Sequence, residues 1–190
     1  ENERMKKELK RLKAKYFETA KAKNIHLSKE ELIILNNYTD IRHKDNRKSF
    51  DHVQSNTMDT YFFADPLMES LMIQKQSLME KETNSRLFPT YSFWRMYTYG
   101  AELLKHKDRP SCEISVTAMI GSDGTEWPIY MDGKPYNLNP GQAMIYLGCE
   151  VEHWREPFAG DWQAQAFMHY VDAEGDYKWD RRNFIGQTSS

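Results

Sequence analysis

In the first third of the chain apolar residues recur at helical spacing, and in the rest they recur at strand spacing. Met5, Leu9, Leu12 and Tyr16, with Phe17 beside it, fall three to four apart with Lys and Arg between them, which predicts an amphipathic helix. Ser28 and Glu31 stand at capping-box spacing just before Leu32, Ile33 and Leu35, so a second, short helix starts there. Residues 38–57 are polar with few apolar anchors and predict a long loop, a candidate lid near a site entrance. Asp65-Pro66 pairs a capping carboxylate with a residue preorganised for the first helical turn. Leu67, Met68, Leu71, Met72 and Leu78 then predict a helix to about residue 82, its methionines packing a core rather than forming a soft-metal site.

After residue 88 the texture changes. Segments around 91–99, 112–120, 126–131, 143–148, 151–156 and 163–171 are rich in Tyr, Trp, Ile, Val and Phe. They are separated by Gly121-Ser122-Asp123-Gly124, Asp132-Gly133, Asn139-Pro140-Gly141 and Ala159-Gly160-Asp161, all turn sequences. Short strands at this spacing predict a sandwich or barrel. The expected organisation is one domain over residues 1–190: a helical flank (1–85), a β core (86–175) and a tail (176–190), an α+β class that is mainly β.

Composition narrows this picture. With 39% apolar and 13% aromatic residues in 190, the chain can bury a core, which excludes a disordered protein. Two cysteines, Cys112 and Cys149, make neither a disulfide framework nor a thiolate metal site, and a reducing, cytoplasmic setting fits them. No apolar run has transmembrane length. The net charge of −2 is uneven: residues 1–24 carry nine Lys/Arg against four Asp/Glu, while the body is acidic. The basic arm reads as a solvated helix face, and the acidic body disfavours nucleic acid as a partner.

The candidate chemistry begins at Leu104-Lys105-His106-Lys107-Asp108-Arg109. An imidazole and a carboxylate two residues apart at a strand end project to the same side, so both can reach one ion. His153, in Glu152-His153-Trp154-Arg155, is the natural third ligand. Two histidines and one carboxylate cover one face of an octahedral ion and leave the other positions open, the ligand set of non-haem Fe(II) oxygenases. An H-x-D alone is a weak signal, since His beside Asp is commonly a surface ion pair.

The surrounding residues strengthen it. Tyr97-Thr98-Tyr99-Gly100-Ala101-Glu102-Leu103-Leu104-Lys105-His106-Lys107-Asp108 resembles the prolyl 4-hydroxylase-like group of Fe(II)/2-oxoglutarate oxygenases, where a Tyr-x-x-Gly precedes H-x-D by the same interval. Leu138-Asn139-Pro140-Gly141-Gln142-Ala143-Met144-Ile145-Tyr146 looks like that family's turn and strand before its second His. The resemblance spans residues 86–175, about half the chain, and is closer still to small oxygenases with H-x-D-R-P-S-C-E-I-S and H-W-R-E blocks. It implies a double-stranded β-helix (jelly roll) with His106, Asp108 and His153 on Fe(II). It also implies 2-oxoglutarate as cosubstrate with Tyr97 bonding it, O2 as oxidant, and ascorbate as a candidate reductant. The implied reaction is C–H hydroxylation with release of succinate and CO2. The leading implied substrate is a peptidyl proline in a protein or peptide; a small metabolite is the alternative.

One departure matters. The family places Lys or Arg about ten residues after the second His, to pair with the far carboxylate of 2-oxoglutarate; here Gln163, or Trp162 with one gap, stands there. A buried dianion needs a cation. Arg155, two residues from His153 and on the same strand face, is the first candidate, and Arg95, alternating with Tyr97, is the second. Arg109, directly after Asp108, is expected to point away. Ser115 and Thr117 are expected to add hydroxyl contacts or to pack inward. His169 reads as a hydrogen-bonded core residue, and Trp127, Trp154 and Trp162 read as packing. The missing cation keeps a non-catalytic, cupin-like metal- or ligand-binding module open. A zinc hydrolase using the same ligands lacks an additional general base.

Overall fold

The protein is described from a computed structural model, which covers residues 2–8, 27–45 and 59–181. Its helices are α1 (residues 2–8), α2 (Lys29–Asp45) and α3 (Pro66–Thr83). The strands are β1 (Thr60–Phe63), β2 (Leu87–Thr98), β3 (Leu103–His106), β4 (Ile114–Ser122), β5 (Ile129–Met131), β6 (Lys134–Tyr136), β7 (Ala143–Tyr146), β8 (His153–Arg155) and β9 (Trp162–Asp172).

Local chemistry sets the helix boundaries as expected. Ser28 and Glu31 form the reciprocal capping box, with Ser28 N–H donating to Glu31 at 2.7 Å and Glu31 N–H to Ser28 Oγ at 3.1 Å. Asp65 caps α3 by accepting from Leu67 N–H at 3.1 Å and Met68 N–H at 3.5 Å, with Pro66 in the first turn. α2 departs from the expectation of a loop from residue 38, because the helix runs on to Asp45. Its second half is held by polar contacts instead of an apolar stripe. Tyr38 donates to Asp65, His43 Nδ1 lies 2.7 Å from Thr60 Oγ1, and the Arg42 guanidinium sits 4.0 Å over the Phe62 ring. Hydrophobic periodicity carries no trace of such ties. The rest of the expected lid, residues 46–57, lies outside the described residues, as does most of the basic arm.

The strands form two antiparallel sheets, a five-stranded one ordered β1-β2-β9-β4-β7 and a four-stranded one ordered β3-β8-β5-β6. This is the expected jelly-roll core with helices on its flank. Two short edge strands, β1 and β6, have no counterpart among the segments that hydrophobic patterning predicts. Asp132 (φ 47°) and Gly133 (φ 82°) make the tight turn joining β5 to β6, both in the left-handed region that such a hairpin demands.

The two faces of the larger sheet differ in kind. One face packs Trp94, Met96, Val116, Ile120, Ala166 and Met168 against Leu35, Met68, Met72 and Met79 of α2 and α3 in the main apolar core. The other, turned toward the smaller sheet, carries buried polar residues: Arg95, Ser115, Thr117, Gln163, Gln165 and His169. Burying polar groups is costly unless they are bonded, so an inner face built of them marks an interior made for polar contents. No helix among the described residues is long and apolar enough to cross a membrane.

Candidate metal centre

β3 and β8 are antiparallel neighbours, and their register sets His106 directly opposite His153. The two imidazole rings lie 4.2 Å apart. Asp108 follows the end of β3 and is placed by its backbone, with its N–H donating to Gly148 O at 2.8 Å. Asp108 Oδ1 then stands 3.3 Å from His106 Nε2 and 3.5 Å from His153 Nε2. Bonds of about 2.1 Å to one ion at right angles separate neighbouring donor atoms by about 3 Å, so the set is close to that of a bound ion. Both rings are oriented from behind. His106 Nδ1 bonds Leu104 O at 2.6 Å and His153 Nδ1 bonds Val151 O at 2.9 Å. A carbonyl only accepts, so Nδ1 holds the proton in each ring and Nε2 offers its lone pair to the common point. The donor set fits a divalent transition metal such as Fe(II).

Burial alone would make the His106 ring less basic, but the Asp108 carboxylate and the Leu104 carbonyl outweigh it and hold its pKa above the ordinary imidazole value. Burial would raise the Asp108 pKa, yet His106 and His153, which donate to it from Nε2 when protonated, keep its carboxyl well below the usual carboxylate range. Metal and proton compete for the same nitrogen. Metal affinity is therefore full above the raised His106 pKa and falls as pH drops through it. In the metal-free protein the sign reverses. A raised pKa contributes stability that is complete below the ordinary imidazole value and lost as pH rises through the raised one. Melting temperatures of Zn(II)-loaded and metal-free protein, compared across that window, should move in opposite directions with pH.

No signal in the sequence singles out Gly148, yet it is what lets Asp108 fit. A Cβ there would run into Cys112 O and stand 2.6 Å from Asp108 Oδ2 and 3.0 Å from Ser115 Oγ. Gly148→Ala should displace the Asp108 carboxylate and cost about 1–3 kcal/mol of stability. A metal titration beside a melting curve checks it: weakened metal binding is expected to accompany the lower melting temperature.

The three ligands open into a cavity of about 130 Å³, also lined by Tyr97, Arg95, Tyr146, Leu103, Tyr91, Phe93, Phe63, Phe167, Arg109, Cys112 and His169. Tyr97 is fully buried and its hydroxyl has no hydrogen-bond partner among the described residues, which leaves it for a ligand. The two candidate cations differ. Arg95 lines the cavity but already has a counter-ion, buried Asp59, whose Oδ2 is 3.9 Å from Arg95 Nε. Arg155 is only 2% exposed, and no carboxylate pairs with it among the described residues. It lies beside Tyr97 and Tyr146 without itself forming part of the cavity lining, and burial pulls its pKa down to about 10. Its guanidinium donates to Trp127 O at 2.6 Å and stacks 4.7 Å from the Trp127 ring centre.

Gln163 and Gln165 lie on β9 of the larger sheet, opposite Tyr97 and Arg95 of β2 and near where the resembling family has its cation. Hydrogen bonding sets the Gln165 amide with its nitrogen toward Ala118 O (2.9 Å), so that its oxygen accepts from Arg155 at 3.2 Å and Gln163 at 2.9 Å. The position thus holds the support of a guanidinium supplied from β8.

Other expectations fare differently. Ser115 does not reach the cavity, because its hydroxyl is committed to Cys112 O (3.0 Å) and His169 Nδ1 (2.7 Å). Thr117 Oγ1 is likewise taken up by Gln165 at 3.2 Å. His169 is hydrogen-bonded and buried as expected, held neutral by burial with a pKa near 4, but it also lines the cavity. Trp127, Trp154 and Trp162 pack and do not line it. Arg109, expected to point away, joins the lining, because the chain leaves β3 at His106 and strand alternation no longer applies. Tyr91 and Phe93 are legible in principle, as they alternate with Arg95 and Tyr97 on β2.

No protein-family model and no curated protein matches the sequence. Solved structures do match. A Pseudomonas putida prolyl-4-hydroxylase aligns over 78% of this chain and 90% of its own, at 16% identity and a TM-score of 0.58. An oxidoreductase of the 2OG-Fe(II) oxygenase family from Burkholderia pseudomallei covers 76% and 80% respectively, at 13% identity and a TM-score of 0.57. SnoN, a non-haem α-ketoglutarate-dependent epimerase from nogalamycin biosynthesis, covers 80% and 77%, at 10% identity and a TM-score of 0.67. The chain therefore has the double-stranded β-helix fold of the Fe(II)- and 2-oxoglutarate-dependent oxygenases.

Proposed function

We infer that the protein is an Fe(II)- and 2-oxoglutarate-dependent dioxygenase that hydroxylates a C–H bond and releases succinate and CO2. The observation that carries this reading is the convergence of two Nε2 lone pairs and one carboxylate on a single point beside a cavity lined by aromatic and charged side chains. His106, Asp108 and His153 would hold the iron, which supplies the activation of O2 when bound. The protein's own groups bind, orient and shield. Tyr97 would donate its unpartnered hydroxyl to 2-oxoglutarate. Arg155 would pair with the far carboxylate, which gives that buried cation the anion it lacks. Arg95, already paired with Asp59, is the weaker anchor. The buried residues around Arg155 exclude water from the pair and strengthen it.

The test is succinate formation from 2-oxoglutarate by anaerobically purified, Fe(II)-loaded protein on exposure to air, beside 2-oxoglutarate binding to the same Fe(II) protein. Iron-dependent succinate that is absent in metal-stripped protein is the expected result. Absence of both turnover and binding would sink the reading and favour a binding module. Similarity to the prolyl-4-hydroxylase supports a peptide substrate, and similarity to SnoN supports a small molecule.

A further inference from the structure

Tyr97, a proposed cosubstrate contact, lines the cavity toward one end of β2, with Arg155 behind it and outside the lining. Toward the other end is an aromatic wall with a cation on it. Phe63 and Tyr91 rings lie 4.9 Å apart, Phe93 and Phe167 lie 6.3 Å apart, and Phe63 is 57% exposed. Arg109 is the cation. Its Nε and Nη2 both donate to Tyr91 Oη, at 3.2 and 3.1 Å, and its guanidinium lies 5.1 Å from the Tyr91 ring centre. Tyr91 is pinned in turn, with its hydroxyl hydrogen-bonded to Cys112 Sγ at 2.9 Å. No carboxylate pairs with Arg109 among the described residues, and Arg109 is exposed, so the N–H groups that Tyr91 and Cys112 do not engage face solvent and an incoming ligand. A planar guanidinium held in one orientation loses little freedom on binding, and its fork matches a carboxylate.

We propose that Arg109 is the substrate-recognition residue, and that the substrate is a small carboxylic acid whose apolar body packs on Phe63, Tyr91, Phe93 and Phe167. An internal peptidyl proline carries no carboxylate for Arg109, and a cationic substrate would meet like charge at the same wall. The proposal rests on the oxygenase reading for the reaction, but not for the recognition itself.

The test uses protein loaded with Zn(II) and 2-oxoglutarate, so that nothing turns over. Ligand-observed NMR is run with free amino acids, hydroxy acids and short-chain fatty acids, each beside its primary amide, and with a proline-rich peptide blocked at both ends. At least one acid is expected to bind about 10- to 100-fold more tightly than its amide. Arg109→Gln should erase that preference while leaving 2-oxoglutarate affinity unchanged, and Tyr91→Phe, which frees the guanidinium, should reduce it. Acids binding no better than amides, the blocked peptide binding equally to wild type and Arg109→Gln, or loss of 2-oxoglutarate binding in Arg109→Gln would each overturn the assignment. Failure of the wild type to bind 2-oxoglutarate would instead strike at the oxygenase reading, with the acid–amide comparison still deciding the role of Arg109.

Discussion

His153→Ala is expected to abolish both tight metal binding and 2-oxoglutarate-dependent succinate formation. Losing an outer-shell partner of a metal ligand typically lowers affinity about 10- to 100-fold, and losing the ligand itself should exceed that. His153 also lies directly opposite His106 across β3 and β8, so its removal takes away the ring that His106 packs against. Two measurements separate the site from the fold. The Zn(II)-induced rise in melting temperature should vanish, whereas the melting temperature of the metal-free protein should change by far less. A variant that still took up metal with wild-type affinity would exclude the proposed ligand set.

Arg155→Met is expected to remove 2-oxoglutarate binding without a comparable loss of fold stability. Truncating one partner of a buried, hydrogen-bonded charge pair costs about 2–5 kcal/mol, or roughly 30- to 4,000-fold in affinity. In the ligand-free protein, by contrast, the guanidinium is buried with no carboxylate against it among the described residues, and a methionine of similar length relieves that desolvation. The cost there is the hydrogen bonds to Trp127 O and the Gln165 amide oxygen and the stacking on the Trp127 ring. The 2-oxoglutarate-induced rise in melting temperature, which follows directly from ligand concentration and affinity, reads the first effect. The melting temperature without ligand reads the second. Equal losses in both would mean that Arg155 is a packing residue, and Arg95→Met would then be the variant to examine for the anchor.

Much of the site is legible in the amino-acid sequence. His106, Asp108 and His153 stand out because the chemistry of an open octahedral ion demands those residue types, and because Tyr97-x-x-Gly100 precedes them at the resembling family's spacing. Alternation along β2 and β8 makes Arg95 and Arg155 the competing cations, and both are buried. Choosing between them requires Asp59, which is remote from both in sequence and neutralises only Arg95. The alternation rule itself fails at Arg109, where the strand has already ended. At Ser115 the inward direction is right, but Cys112 O and His169 take the hydroxyl. Nothing in a single sequence marks Gly148 as the residue whose missing side chain admits Asp108.

The helices and strands with strong caps, turns and periodicity were determined by the sequence alone, because each of those signals acts over a few neighbouring residues. The capping box at Ser28, the Asp65-Pro66 start and the Asp132-Gly133 turn all appear where local chemistry places them. Tertiary structure decided the continuation of α2 past Tyr38, where polar contacts with Asp65, Thr60 and Phe62 replace an apolar stripe. It also decided which face of the larger sheet is apolar against helices and which is polar toward the site, and which buried arginine is left without a carboxylate. Those outcomes depend on groups brought together across sheets and long loops, where the energy of a charge is set by its spatial neighbours rather than by its neighbours in the chain.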